Sequence, residues 1–396
     1  MTNDREAVIV SAVRTPIGRF QGTLAPLSAP ELGAVAIKSA VERAGIDPSA
    51  VDEVLMGCVV QAGQGQAPAR QASIKAGIPP TVGATTVNKI CGSGLKTVML
   101  AAAMIGVGDA DIVVAGGMES MNNGPYMLPR ARFGYRLGHG QLLDATVHDG
   151  LWCPFENQHM GNAAEWIARE YGLTRQELDE YALKSHQKAI AAIDAGRFKA
   201  EIVPVLVPQR KGDPIPFDTD EAPRRDTSLQ ALARLKPAFQ RDGMVTAGNS
   251  PGITDGAAAT VVMSRAKAEE LGIKPLARIT GYAQAAVKPL EIFTAPIFAV
   301  RRLLERTGTT LDDYDLIEIN EAFAAQVLAD GKALGLDWDK VNVNGGAIAL
   351  GHPIGCSGTR VLVTLIYALR DRGLKAGFAT LCLGGGEAVA MSIELE

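Results

Sequence analysis

Apolar and polar positions fall into two long stretches that share one rhythm, separated by a stretch with a different one. Residues 36–57, AIKSAVERAGIDPSAVDEVLMG, align with residues 299–320, AVRRLLERTGTTLDDYDLIEIN, at an offset of 263. Ala36/Ala299, Glu42/Glu305, Arg43/Arg306, Gly45/Gly308 and Asp52/Asp315 are identical between the two. Each copy predicts a helix stopped by Gly, a second start signal at Asp47-Pro48 or Thr310, and a short apolar strand. Further along, each copy has a Gly-rich turn, an apolar helix and a strand ending in glycines. In the first these are Cys91-Gly-Ser-Gly, a helix over about 95–105 and a strand from Asp111 to Gly117. In the second they are Gly355-Cys-Ser-Gly, a helix over about 360–370 and a strand from Ala379 into Gly384-Gly-Gly. Leu95, Val98, Met99 and Ala102, and likewise Leu362, Leu365, Ile366 and Leu369, recur at helical spacing. Residues 97–105 carry no charge on any face, the pattern of a buried helix. The pattern predicts an α/β protein built from a duplicated half, with sheets and helices in layers.

The stretch between the copies, residues 121–249, holds 9 of the 21 prolines, two of the three tryptophans and four of the five histidines. Its clearest helix starts at Thr174, where Thr-Arg-Gln-Glu is a capping box, and stops near Gly196. It reads as a loop domain inserted over the core, with residues 204–223 its most loop-rich part. The organisation expected is 1–120 plus 250–270 as the first half, 121–249 as the insertion and 271–396 as the second half.

Composition narrows the function classes. Lys and Arg number 39 against 43 Asp and Glu, a net charge of −4, so no basic surplus points to nucleic acid. The apolar run of residues 97–108 is shorter than the ~20 residues of a membrane span, and the uncharged run 341–359 is broken by Gly, Asn, His and Pro. The amino terminus, Met-Thr-Asn-Asp-Arg-Glu, is too acidic for a signal peptide, which makes the cytoplasm the expected compartment. The five cysteines, Cys58, Cys91, Cys153, Cys356 and Cys382, are scattered without a Cys-x-x-Cys pair. Reduced thiols are therefore expected, with no disulfide framework and no metal site.

Two thiols and one imidazole stand out. Cys91 is placed at the start of the buried helix, where the dipole and free N–H groups favour a thiolate. His352 lies in the matching turn of the second copy, between Gly351 and Pro353. If the halves pack about a pseudo-two-fold axis, the two helix N-termini converge and Cys91 and His352 become a nucleophile and its base. Cys382 ends a strand directly before Gly384-Gly-Gly, a turn able to aim bare N–H groups at an oxyanion. Asn320 ends the duplicated strand of the second half, where its amide can polarise a carbonyl.

These motifs identify the chain as similar to the biosynthetic type of the thiolase family over essentially its full length. They are Asn88-Lys-Ile-Cys-Gly-Ser-Gly-Leu-Lys, Gly116-Gly-Met-Glu-Ser-Met, His159-Met-Gly, Asn320-Glu-Ala-Phe-Ala-Ala-Gln, Gly345-Gly-Ala-Ile-Ala-Leu-Gly-His-Pro-Ile-Gly and Cys382-Leu-Gly-Gly-Gly. The resemblance implies a layered α-β-α-β-α core and acetyl-CoA C-acetyltransferase chemistry: two acetyl-CoA condense to acetoacetyl-CoA plus CoA. It makes Cys91 the nucleophile, His352 its activator and Cys382 the acid and base at the substrate methyl. One oxyanion hole would be His352 with a water held by Asn320, and the other the N–H groups of Cys91 and Gly384. His159, Arg224 and Ser250 match positions that contact CoA, which is substrate here; no cofactor and no metal are implied. A homotetramer is also implied, with residues 129–144, including Arg130, Arg132, Phe133, Tyr135 and Arg136, falling where tetramer-forming loops occur.

Three places depart from the family's pattern. Gly248-Asn-Ser-Pro-Gly252 replaces a Gly-Asn-Ala-Ser-Gly run, which disturbs a Ser hydroxyl contact with CoA. The same run matches the Gly-x-Ser-x-Gly of serine hydrolases, but Pro251 lacks the N–H that their oxyanion hole needs. Ile292 and Phe293 stand where a Met-Gly is usual, near the acyl pocket, and Cys356 replaces a small residue and reads as packing. The alternatives weighed are a degradative 3-ketoacyl-CoA thiolase, a non-catalytic acyl-CoA-binding relative and a decarboxylating condensing enzyme. The last two are disfavoured because Cys91, His352, Cys382 and Asn320 are all present.

Overall fold

Residues 4–396 are described in the structure, a computed structural model. The first three residues of the acidic amino-terminal stretch lie outside them. The first half contributes strands β1 (Ala7–Arg14), β2 (Glu53–Gly57), β3 (Gly83–Val87), β4 (Ile112–Ser120) and β5 (Thr254–Ser264). The second contributes β6 (Ala277–Ala286), β7 (Leu316–Ile319), β8 (Ala376–Leu383) and β9 (Glu387–Leu395). The main helices are α1 (Ala29–Ala44), α2 (Ser93–Val107), α3 (Met160–Glu170), α4 (Arg175–Asp194), α5 (Ala295–Thr307), α6 (Ala324–Leu334) and α7 (Ser357–Arg372).

The duplication read from residues 36–57 and 299–320 is a duplication of topology. In the first half the strands lie in the order β3-β2-β4-β5-β1, the first three parallel and the last two joined antiparallel. In the second half Val341 bridges β7 in parallel, and β7-β8-β9-β6 repeat the pattern. The two half-sheets meet edge to edge where β1 pairs antiparallel with β6, over only Val8↔Arg278 and Ile9↔Ala277. One sheet therefore runs through the molecule, and Gly18–Arg19 adds a short strand against β5.

Burial patterns follow from layering. α1 covers the outer face of the first half-sheet and α5 that of the second, while α2 and α7 pack on each other between them. This is the α-β-α-β-α order. An 18-residue window, Ile90–Val107, is long and apolar enough by length and composition to cross a membrane, longer than the run of residues 97–108 suggested. In the fold it is the central helix with its lead-in turn, and Leu95, Val98, Met99, Ala101 and Ile105 are buried in the inner layer. α2 and α7 touch backbone to backbone near their N-termini. A Cβ on Gly94 would come within 2.7 Å of Thr359 N, and one on Gly358 within 2.3 Å of Leu95 N. Thr359 Oγ1 also donates to Gly94 O at 2.8 Å. The convergence expected from the repeat is thus achieved with glycines at the crossing.

In the inserted segment, α4 starts at the expected capping box: Thr174 N donates to Glu177 Oε2 at 2.7 Å. α3 and α4 pack against α6, which places the insertion over the second half. The stretch 204–223 is less irregular than expected, because Val205–Val207 and Ile215–Phe217 form a short antiparallel hairpin.

Candidate active site

The turn carrying Cys91 is a forced one. Ile90, a β-branched residue, has φ 45°, a conformation costly for such a side chain. The turn is held by Ser93 Oγ, which accepts from Lys89 N at 2.8 Å and donates to Ile90 O at 2.6 Å. Lys89 Nζ pairs with Glu387 at 2.7 Å, tying this turn to the Gly384–Gly386 turn of the other half. Gly92 lies close under Leu383: a Cβ there would meet Leu383 Cδ2 at 2.1 Å, and that buried side chain would have to shift.

Cys91, His352, Cys382 and Gly384 line one cavity of about 280 Å³. Its walls are apolar, with Ile90, Met160, Phe239, Phe293, Phe323 and Ile354 among the lining residues. Burial there pushes the Cys91 thiol up to about 12, against the pull of the N–H groups of Gly384 and of Cys91 itself. Desolvation outweighs the N–H groups, so the shift at Cys91 runs opposite to the thiolate expected from the helix start and favours the thiol. The Cys382 thiol is likewise raised well above its ordinary range, by burial first.

His352 complements a neutral thiol. Burial, then the nearby Arg360 cation, lowers its pKa to about 3, so the ring is an uncharged base. Its tautomer follows from the partners. Ser357 Oγ lies 2.9 Å from Pro353 O and 2.6 Å from His352 Nδ1; assigning its one proton to the carbonyl makes Nδ1 the donor to Oγ. The lone pair is then on Nε2, which faces Asn320 Nδ2 at 3.4 Å. Asn320 is fully buried, and its Oδ1 has no protein partner among the described residues.

The other predicted site residues separate into two regions. His159 lines the reaction cavity, caps α3 by accepting from Gly161 N at 3.0 Å, and stacks on Phe239 with centroids 4.7 Å apart. Burial lowers its pKa. Arg224 lies outside, in a groove of about 750 Å³ that shares Ala247, Ser250, Gly252 and Ile253 with the lining of the cavity. Its guanidinium has no ion-pair partner among the described residues, whereas Arg225 is neutralised by Asp194 at 2.6 Å. Ser250 faces both spaces but donates to Thr246 O at 2.7 Å, so its lone pairs alone remain for a ligand. Among the described residues no imidazole bonds its hydroxyl, which goes to Thr246 O, and this removes the serine-hydrolase reading. Cys356 packs in the inner core, its thiol pushed up to about 12 by burial.

Sequence reading passed over three residues. Ser357 sits five positions after His352. Glu321, beside Asn320, accepts from Tyr181 Oη at 2.9 Å, Ser185 Oγ at 2.7 Å and Ile348 N at 2.9 Å, anchoring α4 to the His352 loop. Glu119, next to last in β4, is fully buried, and its carboxyl is raised to about 7 by burial, opposed by the N–H groups of Val60, Val59 and Gly355. The available signal was an acid inside an otherwise apolar, Gly-rich motif.

Comparison with known proteins agrees over the whole chain. Residues 7–266 match the family model described as thiolase, N-terminal domain, and residues 273–395 match thiolase, C-terminal domain. The chain is 56% identical over 389 residues to an acetyl-CoA acetyltransferase of Pseudomonas aeruginosa, covering 98% of this chain and 99% of that one. It is 57% identical to an acetyl-CoA acetyltransferase of Cupriavidus necator, with the same coverage. A crystal structure of the Bacillus anthracis acetyl-CoA acetyltransferase superposes with a TM-score of 0.97 at 47% identity, covering 99% of each chain.

Proposed function

The chain belongs to the thiolase family, and from that footing we infer that it catalyses the reversible condensation of two acetyl-CoA to acetoacetyl-CoA plus CoA. The carrying observation is the convergence of two thiols, an uncharged imidazole and a thiol-facing N–H pair on one apolar cavity.

Proton bookkeeping assigns the roles. Cys91 starts as a thiol and His352 as a free base, so His352 Nε2 takes the thiol proton as Cys91 attacks the first thioester. CoA leaves as a thiolate and takes a proton from Cys382. The site then holds an acetylated Cys91, an imidazolium and a Cys382 thiolate. That thiolate, made strongly basic by burial, removes a proton from the methyl of the second acetyl-CoA. The resulting enolate oxygen meets the His352 Nε2–H and a water held by Asn320. Attack on the acetyl group of Cys91 places negative charge on its carbonyl oxygen, where the N–H groups of Cys91 and Gly384 stabilise it. Collapse releases acetoacetyl-CoA, and the Cys91 thiolate recovers its proton from His352. Every proton is returned, and no metal or organic cofactor is called for.

The groove beyond the cavity suits the nucleotide end of CoA, with Arg224 as its unpaired cation. A four-copy assembly in the cytoplasm completes the reading. The support for assembly is the segment between Tyr126–Met127 and Leu143–Asp144, where Phe133 is 87% exposed and Leu137 fully so. Light scattering at a dimer's mass or below would overturn it. The activity is tested by mixing protein with acetoacetyl-CoA and CoA and following loss of the enolate absorbance. Native protein should turn over and Cys91→Ala should not; no native turnover, or turnover retained in the variant, sinks the reading.

A further inference from the structure

We propose that Glu119 is a positioning residue for this reaction, the clasp that holds the His352 loop of the second half against the first. The proposal rests on the function inferred above. Glu119 does not line the reaction cavity and so does not meet substrate. Its carboxylate instead joins three separate pieces of chain. Oε2 accepts from Val59 N at 3.0 Å and from Gly355 N at 2.8 Å, and Oε1 accepts from Val60 N at 3.1 Å, with Cys58 Sγ at 3.7 Å. Glu119 and Val59 belong to the first half, while Gly355 lies three residues after His352.

The surroundings are cut to admit this contact. A Cβ on Gly117 would stand 2.0 Å from Gly355 O, one on Gly57 2.8 Å from the same oxygen, and one on Gly355 2.7 Å from Glu119 Oε2. Two glycines of the first half thus form a socket for a third from the second, and Glu119 closes it. From Gly355 the geometry passes rigidly to the imidazole. Cys356 N and Ser357 N both donate to Pro353 O at 2.9 Å, and Ser357 Oγ holds His352 Nδ1. A shift of Gly355 is therefore a shift of Ser357, and with it of the nitrogen that takes the Cys91 proton.

Glu119→Gln keeps the shape and removes the function. An amide accepts through one atom only, so its NH2 must face either Val60 N–H or the Val59 and Gly355 pair, donor against donor. Misplacing a reacting group by about 1 Å can cost about 100-fold. In the full-length protein, thiolysis of acetoacetyl-CoA by Glu119→Gln should fall about 10- to 100-fold in kcat, with KM for CoA within about twofold of native. Hydrogen–deuterium exchange of the peptide containing Gly355 should rise about tenfold or more, while α7 stays protected. Native kcat in the variant, or unchanged exchange at Gly355, overturns the proposal. So does a general rise in exchange with kcat and KM failing together, the mark of a merely structural residue. Should the Gln variant not fold, Glu119→Asp keeps the charge one methylene short, and native kcat and exchange there overturn it equally. An inactive native protein would sink the functional reading instead, and the exchange comparison would still decide the clasp.

Discussion

His352 and Cys91 line one cavity, and desolvation favours the neutral form of each, which for His352 has a consequence for acid stability. An ordinary imidazole titrates near 6.5, and in the fold His352 is lowered to about 3. The fold therefore favours its neutral form. The stability this contributes is complete above pH 6.5 and is lost as pH falls through the folded value. Between those limits the group makes stability fall by about 1.4 kcal/mol per pH unit. His352→Asn should flatten the denaturation profile by that slope between about pH 6 and pH 4, read by urea midpoints at each pH. An unchanged slope would show that the ring is not held neutral by burial. The same residue exposes a limit of motif reading. Its position in the Gly-His-Pro turn was legible, but its tautomer depends on Ser357 spending its proton on Pro353 O, a matter of how the turn closes.

At the level of elements, the crossing of α2 and α7 sets the distance between the two halves of the site. Gly94 and Gly358 let the helix starts touch, and a methyl at Gly94 would meet Thr359 N at 2.7 Å and Thr359 Oγ1 at 2.6 Å. The hydroxyl can rotate away, but the backbone nitrogen cannot retreat without moving the helix. Gly94→Ala should cost about 1–3 kcal/mol of stability and lower kcat at temperatures where the protein remains folded, measured by thermal melts alongside steady-state rates. A stable variant with native kcat would show the contact to be looser than described. The helical spacing of Leu95, Val98 and Met99 made these elements readable in advance. The antiparallel edge pairing of the two half-sheets through β1 and β6 was not, because a two-residue register leaves no periodic trace in either strand.

Over the whole molecule, a chain of net charge −4 must bind a polyanionic thioester through local placement. Arg224 and Arg225 are adjacent and equally basic in sequence, yet Asp194 neutralises only the second. Arg224→Ala should raise KM for CoA about tenfold or more with kcat little changed, because a charge-assisted hydrogen bond is worth about 1.5–3 kcal/mol. Arg225→Ala should change it by less than about twofold, since exposed ion pairs and loop charges contribute little. Steady-state kinetics at two salt concentrations will separate them, and equal effects from both substitutions would contradict the assignment.

The sequence by itself determined the duplicated α/β plan and the family, and it singled out Cys91, His352, Cys382 and Asn320, because periodicity, glycine spacing and motif order are properties of chain order. Only the tertiary structure decided that burial raises the Cys91 thiol, that His352 Nδ1 is set against Ser357, that Arg224 is the free cation, and that Glu119 joins the halves. Each of these depends on which groups lose water and which find a partner, and partners far apart in the chain, such as Glu119 and Gly355, become neighbours only when the halves close on each other.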